Sequence, residues 1–278
     1  MCESTTKRYK AAQNSNLDTL KLNNSDMYQF GCEFEFYIDI AKYNLENAVE
    51  QIKNKIVNFT DADILVDLAT LPTDTDKNHC VQIKPDQSLD DNGIEISIPI
   101  TTKNGVKHYI NNILPLIEKY SYTNEDTGLH FHISTIKQDG INFNFYLYML
   151  MCHDKNLLSS WLPRSGYSQN VMDILSNNTK AKSREIKNKK GTIWNLEKID
   201  SNHIEIKAIG GVNYHKEVDK IINEFDRYAE YFNAVLENNN TDYRQRLISE
   251  HKQLIKSLDN DTKAEFSQAV NEAGLIKS

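Results

Sequence analysis

Residues 27–39 read MYQFGCEFEFYID, and their alternation decides the fold class. In a strand, residues two apart share a face. Glu33 and Glu35 therefore take one side of this segment, and Phe34 and Phe36 the other. Three later segments repeat the arrangement. GLHFHIS at 128–134 sets His130 and His132 against Phe131 and Ile133. HIEIKAIG at 203–210 sets His203, Glu205 and Lys207 against Ile204 and Ile206. IEISIPI at 94–100 sets Glu95 and Ser97 against Ile94, Ile96 and Ile98. Each strand is greasy on one face and polar, mostly ionisable, on the other.

Outward from these strands the spacing becomes helical. Residues 43–57 carry Leu45, Val49, Ile52 and Ile56 on one side. Residues 105–120 carry Val106, Ile110, Ile113, Leu114 and Ile117, with Pro115 expected to kink or split the helix. Residues 215–237 carry a stripe of Val218, Ile221, Ile222, Phe225, Tyr228, Phe232 and Val235. Short strands are expected at 63–69 and 79–84, and 191–200 should pair with 203–210. FNFYLYMLMCH at 143–153 is apolar on all sides and reads as a buried helix. Strands and helices without regular βαβ alternation argue for an α+β fold with a mostly antiparallel sheet. The expected organisation is a polar arm at 1–25, one domain at 26–237 and a helical extension at 238–278.

The chain has 278 residues with a net charge of −7. An acidic chain is a poor general nucleic-acid binder, because phosphate neutralisation supplies most of that affinity. No run of 18 apolar residues occurs, so no membrane-spanning helix is expected. The N-terminal segment has no apolar core of a secretory signal. Cys2, Cys32, Cys80 and Cys152 are scattered, as in a cytoplasmic protein with reduced thiols. Cys32 and Cys152 read as small core hydrophobes. The Asn- and Lys-rich composition suggests an AT-rich genome, bacterial or viral.

An antiparallel sheet with one solvated face would place Lys and Thr among its polar positions. These strands place mainly acids and histidines there. Two carboxylates about 4 Å apart repel by roughly 4 kcal/mol at an effective dielectric near 20. Such a cluster in a cleft takes up protons or binds cations. Oxygen ligands with a minor imidazole share suit Mg2+ or Mn2+ better than zinc. The sequence has no GxxxxGK[ST] loop and no GxSxG elbow, which argues against P-loop and serine-hydrolase chemistry.

GCEFEFY at 31–37 together with GLHFHIS at 128–134 resembles the glutamine synthetase-like carboxylate–amine ligase superfamily. The nearest pattern is that of the amidoligase family. It adds a D-x-S-L turn, an E-I-x-x-P strand and a late T-I-E-F-R strand. Here these read Asp86-Gln87-Ser88-Leu89, Glu95-Ile96-Ser97-Ile98-Pro99 and His203-Ile204-Glu205-Ile206-Lys207. The order fits over about 31–210. The departure is Lys207 where the family usually has Arg, which keeps the charge and loses the bidentate fork.

The resemblance implies a curved, mostly antiparallel sheet of glutamine synthetase-like type, with helices on one face and extra helices at the C-terminal end. It implies ATP as cosubstrate, with Mg2+ or Mn2+. Glu33, His130 and Glu205 would hold an ion bridging the ATP phosphates, and Glu35 and Glu95 an ion near the acceptor carboxylate. His132 and Lys207 would contact transferring phosphate oxygens. Arg164, in WLPRSGY, is a further candidate for a phosphate or carboxylate. The implied chemistry is phosphoryl transfer to a small-molecule or peptide carboxylate, then displacement of phosphate by an amine. A homo-oligomer is allowed, since such a site can be completed by a neighbouring subunit.

Two competing readings use the same residues. One is a binding protein that kept the sheet and lost the reaction, which Lys207 favours. The other is a metal-dependent hydrolase. H-x-H also opens a cupin motif, but Ile136, Lys137 and Gln138 stand where that motif needs Glu. The basic run from Lys180 to Lys190 reads as a solvated face, or as a flap over an acidic substrate.

Overall fold

A computed structural model of the chain describes residues 28–68, 79–135, 194–195, 198 and 203–236. The arm at 1–25, the 143–153 segment, Arg164, the Lys180–Lys190 run and the 238–278 extension lie outside the described residues.

The alternating stretch is strand β1, Tyr28–Ile38. It is followed by helix α1 (Leu45–Ile56), β2 (Asp63–Val66), β3 (Cys80–Pro85), β4 (Gly93–Ser97), helix α2 (Lys103–Tyr120), β5 (Ser121–Tyr122), β6 (Gly128–Thr135), β7 (Trp194–Asn195), β8 (His203–Gly210) and helix α3 (Val218–Leu236). The fold is α+β, with one open, mixed sheet. Among the described residues its order is β2-β3-β4-β1-β6-β8-β7, with β5 on β1. Every pairing is antiparallel except β2 with β3.

The greasy face forms the core. Phe30, Cys32, Phe34 and Phe36 of β1 meet Ile83, Ile94, Ile96, Leu129, Phe131, Ile133, Ile204 and Ile206. Helices cover this face. Asn44 caps α1 by accepting from Asn47 N at 3.0 Å, and Ala48, Val49, Ile52 and Ile56 turn inward. Phe225 of α3 packs its ring 5.6 Å from Phe30 and 4.9 Å from Phe131. Full burial of each such side chain stabilises by about 1.5–3 kcal/mol.

Pro115 does not split α2, which runs unbroken from Lys103 to Tyr120. Burial of Ile113, Leu114 and Ile117 around it holds both halves to the sheet. Gly93 is required by close packing. A Cβ there would lie 2.2 Å from Leu89 Cβ, inside the turn that delivers β4. Asp86 shapes the same turn, its Oδ1 accepting from Ser88 N at 2.7 Å and Ser88 Oγ at 2.8 Å.

One irregularity matters for the site. Along β6 the partners step from Leu129 to Phe131, while along β8 they step from Ile209 to Ile206. Strand β8 thus carries one extra residue, a β-bulge. Strict alternation would put Ile209 on the polar face beside Glu205 and Lys207. The bulge returns it to the core, where it is fully buried.

Candidate metal centre on the polar sheet face

The register stacks the polar residues into transverse rows. Glu95 of β4 lies opposite Glu35 of β1 on one side and Lys84 of β3 on the other. Glu33 lies between Ser97 and His130. His132 lies between Gly31 and Glu205, and Asn195 of β7 follows Glu205. Rows assembled this way need no loop to bring the acids together.

This face is only partly solvated. Glu35 and His130 are each 3% exposed, Glu205 8% and Glu95 9%. Charged side chains are almost never buried so deeply without partners. The partners here are one another. His130 Nδ1 is 3.2 Å from Glu33 Oε2 and 3.3 Å from Glu205 Oε1, and its Nε2 is 3.2 Å from Glu35 Oε1. His130 is thus the hub of three carboxylates. Glu205 is also held by Lys207 Nζ at 3.0 Å and Asn195 Nδ2 at 2.5 Å. Glu95 is held by Lys84 Nζ at 3.0 Å and Ser97 Oγ at 2.5 Å.

Glu33, His132 and Glu205 can each offer one ligand atom to a common volume, all within 4.8 Å of one another. The resemblance joins Glu33 and Glu205 to His130 and gives His132 to phosphate. The geometry gathers both histidines with that pair, His130 through the contacts above and His132 through the common volume it shares with Glu33 and Glu205. His132 Nε2 is buried without a hydrogen bond, although it lies 3.3 Å from Glu33 Oε2. A buried nitrogen without a hydrogen bond beside two carboxylates fits a cation ligand. The donor set, oxygen with a minor imidazole share, fits a hard divalent ion such as Mg2+ or Mn2+.

The electrostatics follow from burial and neighbours. Burial pushes the Glu33 carboxyl up, but His132 and then His130 outweigh it and hold it well below the carboxylate range. Glu205 is also lowered, burial being outweighed by His132, His130 and Lys207. Glu95 is raised, by burial first and Glu33 second, which Lys84 only partly offsets. His132 is raised, because Glu33, Glu205 and Glu95 together exceed the effect of burial. His203 is lowered to about 4 by burial, with His132 and Lys198 adding to it. The His132 imidazole and the Lys84 and Lys207 ammoniums thus stand where cations are called for.

The structure links Glu33, Glu35, His130, His132, Glu205 and Lys207 in one connected network of contacts, with Glu95 opposite Glu35. Lys84, Gln82 and Asn195 share this face and escaped the sequence reading. Lys84 was legible in VQIK, where Val81 and Ile83 go to the core and Gln82 and Lys84 to the other side. Asn195 was less legible, since a two-residue strand carries no periodicity. No protein-family model and no curated protein matches the chain's sequence.

Proposed function

We propose that the chain is an ATP- and Mg2+-dependent carboxylate–amine ligase with a glutamine synthetase-like sheet. The observation that carries this is the gathering of four glutamates and two histidines on one sheet face, with Glu35, Glu95, Glu205 and His130 buried and Glu33 and His132 half-buried, in the chain order of the amidoligase motifs. Glu33, His132 and Glu205, with Glu35, Glu95 and His130 beside them, would hold the divalent ions. When bound, such ions neutralise the oxygens of a triphosphate.

The remaining chemistry belongs to the substrates and to positioning. A carboxylate oxygen attacks the γ-phosphorus, the bond to ADP breaks, and an acyl phosphate forms. An amine nitrogen then attacks the carbonyl carbon, inorganic phosphate leaves, and the nitrogen loses a proton. Lys207, paired with Glu205 at 3.0 Å, would meet phosphate oxygens with a point charge rather than a fork. No nucleophilic side chain is needed.

The test is to mix the protein with ATP, Mg2+ and a panel of amino acids, peptides and amines. Phosphate release that depends on both acceptors supports the ligase. Glu33→Gln should then reduce turnover by about 100-fold or more while the far-ultraviolet spectrum stays unchanged. Full activity in that variant moves the site elsewhere, and no turnover with any acceptor sinks the reading. Cleavage of an amide or phosphoester without ATP would restore the hydrolase.

A second reading is supported by Lys84 on Glu95 and Lys207 on Glu205. These internal cations suit a binding protein that has lost the reaction. Calorimetry with and without Mg2+ separates the two, since such a protein binds its ligand without hydrolysing ATP.

A further inference from the structure

His203 faces His132 across the β6–β8 ladder. The two are diagonal partners, since His132 lies opposite Glu205 and His203 opposite Ser134. Diagonal spacing across strands is within reach of two rings. The centroids are 5.3 Å apart with planes inclined at 35°, and His132 Nδ1 lies 3.3 Å from His203 Nε2. One of these nitrogens donates and the other accepts. The far nitrogen of His132, Nε2, lies 3.3 Å from Glu33 Oε2 and has no hydrogen bond. An imidazole can ligate a cation only through an unprotonated nitrogen. Which nitrogen stays bare is set by the hydrogen bond the other one makes.

We propose that His203 is a positioning residue, which accepts the Nδ1–H of His132 and so keeps that ring turned with Nε2 toward Glu33. Its purpose rests on the metal reading above. Its geometry rests on the ring pair alone. The opposite polarity, with His203 Nε2–H donating to His132 Nδ1, would place the proton of a neutral His132 on Nε2 and close it to a cation. Glutamine at 203 could still accept through Oε1, near the place of the imidazole Nε2. Phenylalanine would keep the ring and lose the acceptor.

The experiment uses the full, metal-free chain labelled with 15N in its histidine rings, at a pH where the His132 ring is neutral. Loss of a signal set in His132→Gln assigns that ring. The wild type should carry the proton on Nδ1, His203→Gln should keep it there, and His203→Phe should move it to Nε2. In parallel, Mn2+ should bind about tenfold more weakly to His203→Phe and within about twofold of wild type to His203→Gln. Wild-type His132 protonated on Nε2 overturns the proposal. So does a folded Phe variant with unchanged tautomer and Mn2+ affinity. If the Gln variant loses Mn2+ as fully as the Phe variant, His203 is itself a ligand and the positioning role falls. Should the Phe variant fail to fold, the wild-type and Gln tautomers decide. A wild type with the expected tautomer but no Mn2+ binding leaves the positioning intact and removes the metal reading, so the two fail separately.

Discussion

Lys84 shows what a single residue does at this site. Its ammonium is the charge that keeps Glu95 from rising further than burial and Glu33 already push it. Replacing it with Met leaves a buried acceptor uncompensated. Lys84→Met should destabilise the protein by about 1–3 kcal/mol at pH 7 in urea denaturation. The cost should shrink as pH falls through the raised value of Glu95, because the protonated acid no longer needs a cation. A cost that does not change with pH would mean the effect is packing of the lysine stem. The residue scale is also where the sequence was most readable. Glu33, Glu35, His130, His132, Glu205 and Lys207 were singled out by alternation alone, and they touch. Their individual partners were not readable, because alternation gives a face but not a register. That is why His132, expected at phosphate, lies as near to Glu33 as His130 does, at 3.3 Å against 3.2 Å.

At the level of elements, the site depends on strands being delivered in register. Gly93 ends the turn that starts β4, where any side chain collides with Leu89. Gly93→Ala should cost about 1–3 kcal/mol by overpacking, read as a lowered denaturation midpoint. It should also weaken Mn2+ binding, since a displaced β4 moves Glu95. Unchanged stability would show that the turn yields easily. The helices α1, α2 and α3 were visible in their apolar spacing, and Ile221, Phe225, Tyr228 and Phe232 are buried as that spacing requires. The β8 bulge was not visible, because a one-residue insertion in a ladder leaves no signal in composition. It nonetheless decides that Ile209 serves the core while Glu205 and Lys207 keep the polar face. Of the two outcomes expected at Pro115, a kink or a split, the split does not occur. Helix propensity opposes proline there, and burial of Ile113, Leu114 and Ile117 overrides it.

On the scale of the whole molecule, the opposing pKa shifts set a pH window. Glu33, Glu205 and Asp226 lie below their ordinary values, so the native state binds fewer of their protons than the unfolded chain. Their stabilisation is complete above the ordinary carboxylate value and is lost as pH falls through the lowered ones. His132 has the other sign. Its contribution is complete below its ordinary 6.5 and fades as pH rises through its raised value. Thermal melts of the metal-free protein should therefore fall on the acid side and decline more gently on the alkaline side. His132→Gln should flatten the alkaline limb, and an unaltered limb would place its cause elsewhere. Bound divalent ions should flatten that limb too, because a cation replaces the charge that His132 supplies. No helix among the described residues is long and apolar enough to cross a membrane.

The most direct measurement is anomalous diffraction at the manganese edge from crystals soaked with Mn2+ and a non-hydrolysable ATP analogue. The account predicts a peak bound by Glu33, His132 and Glu205, with nucleotide phosphate beside it. A map with no peak among these side chains, and the glutamates still paired to His130, Lys84 and Lys207, would contradict it.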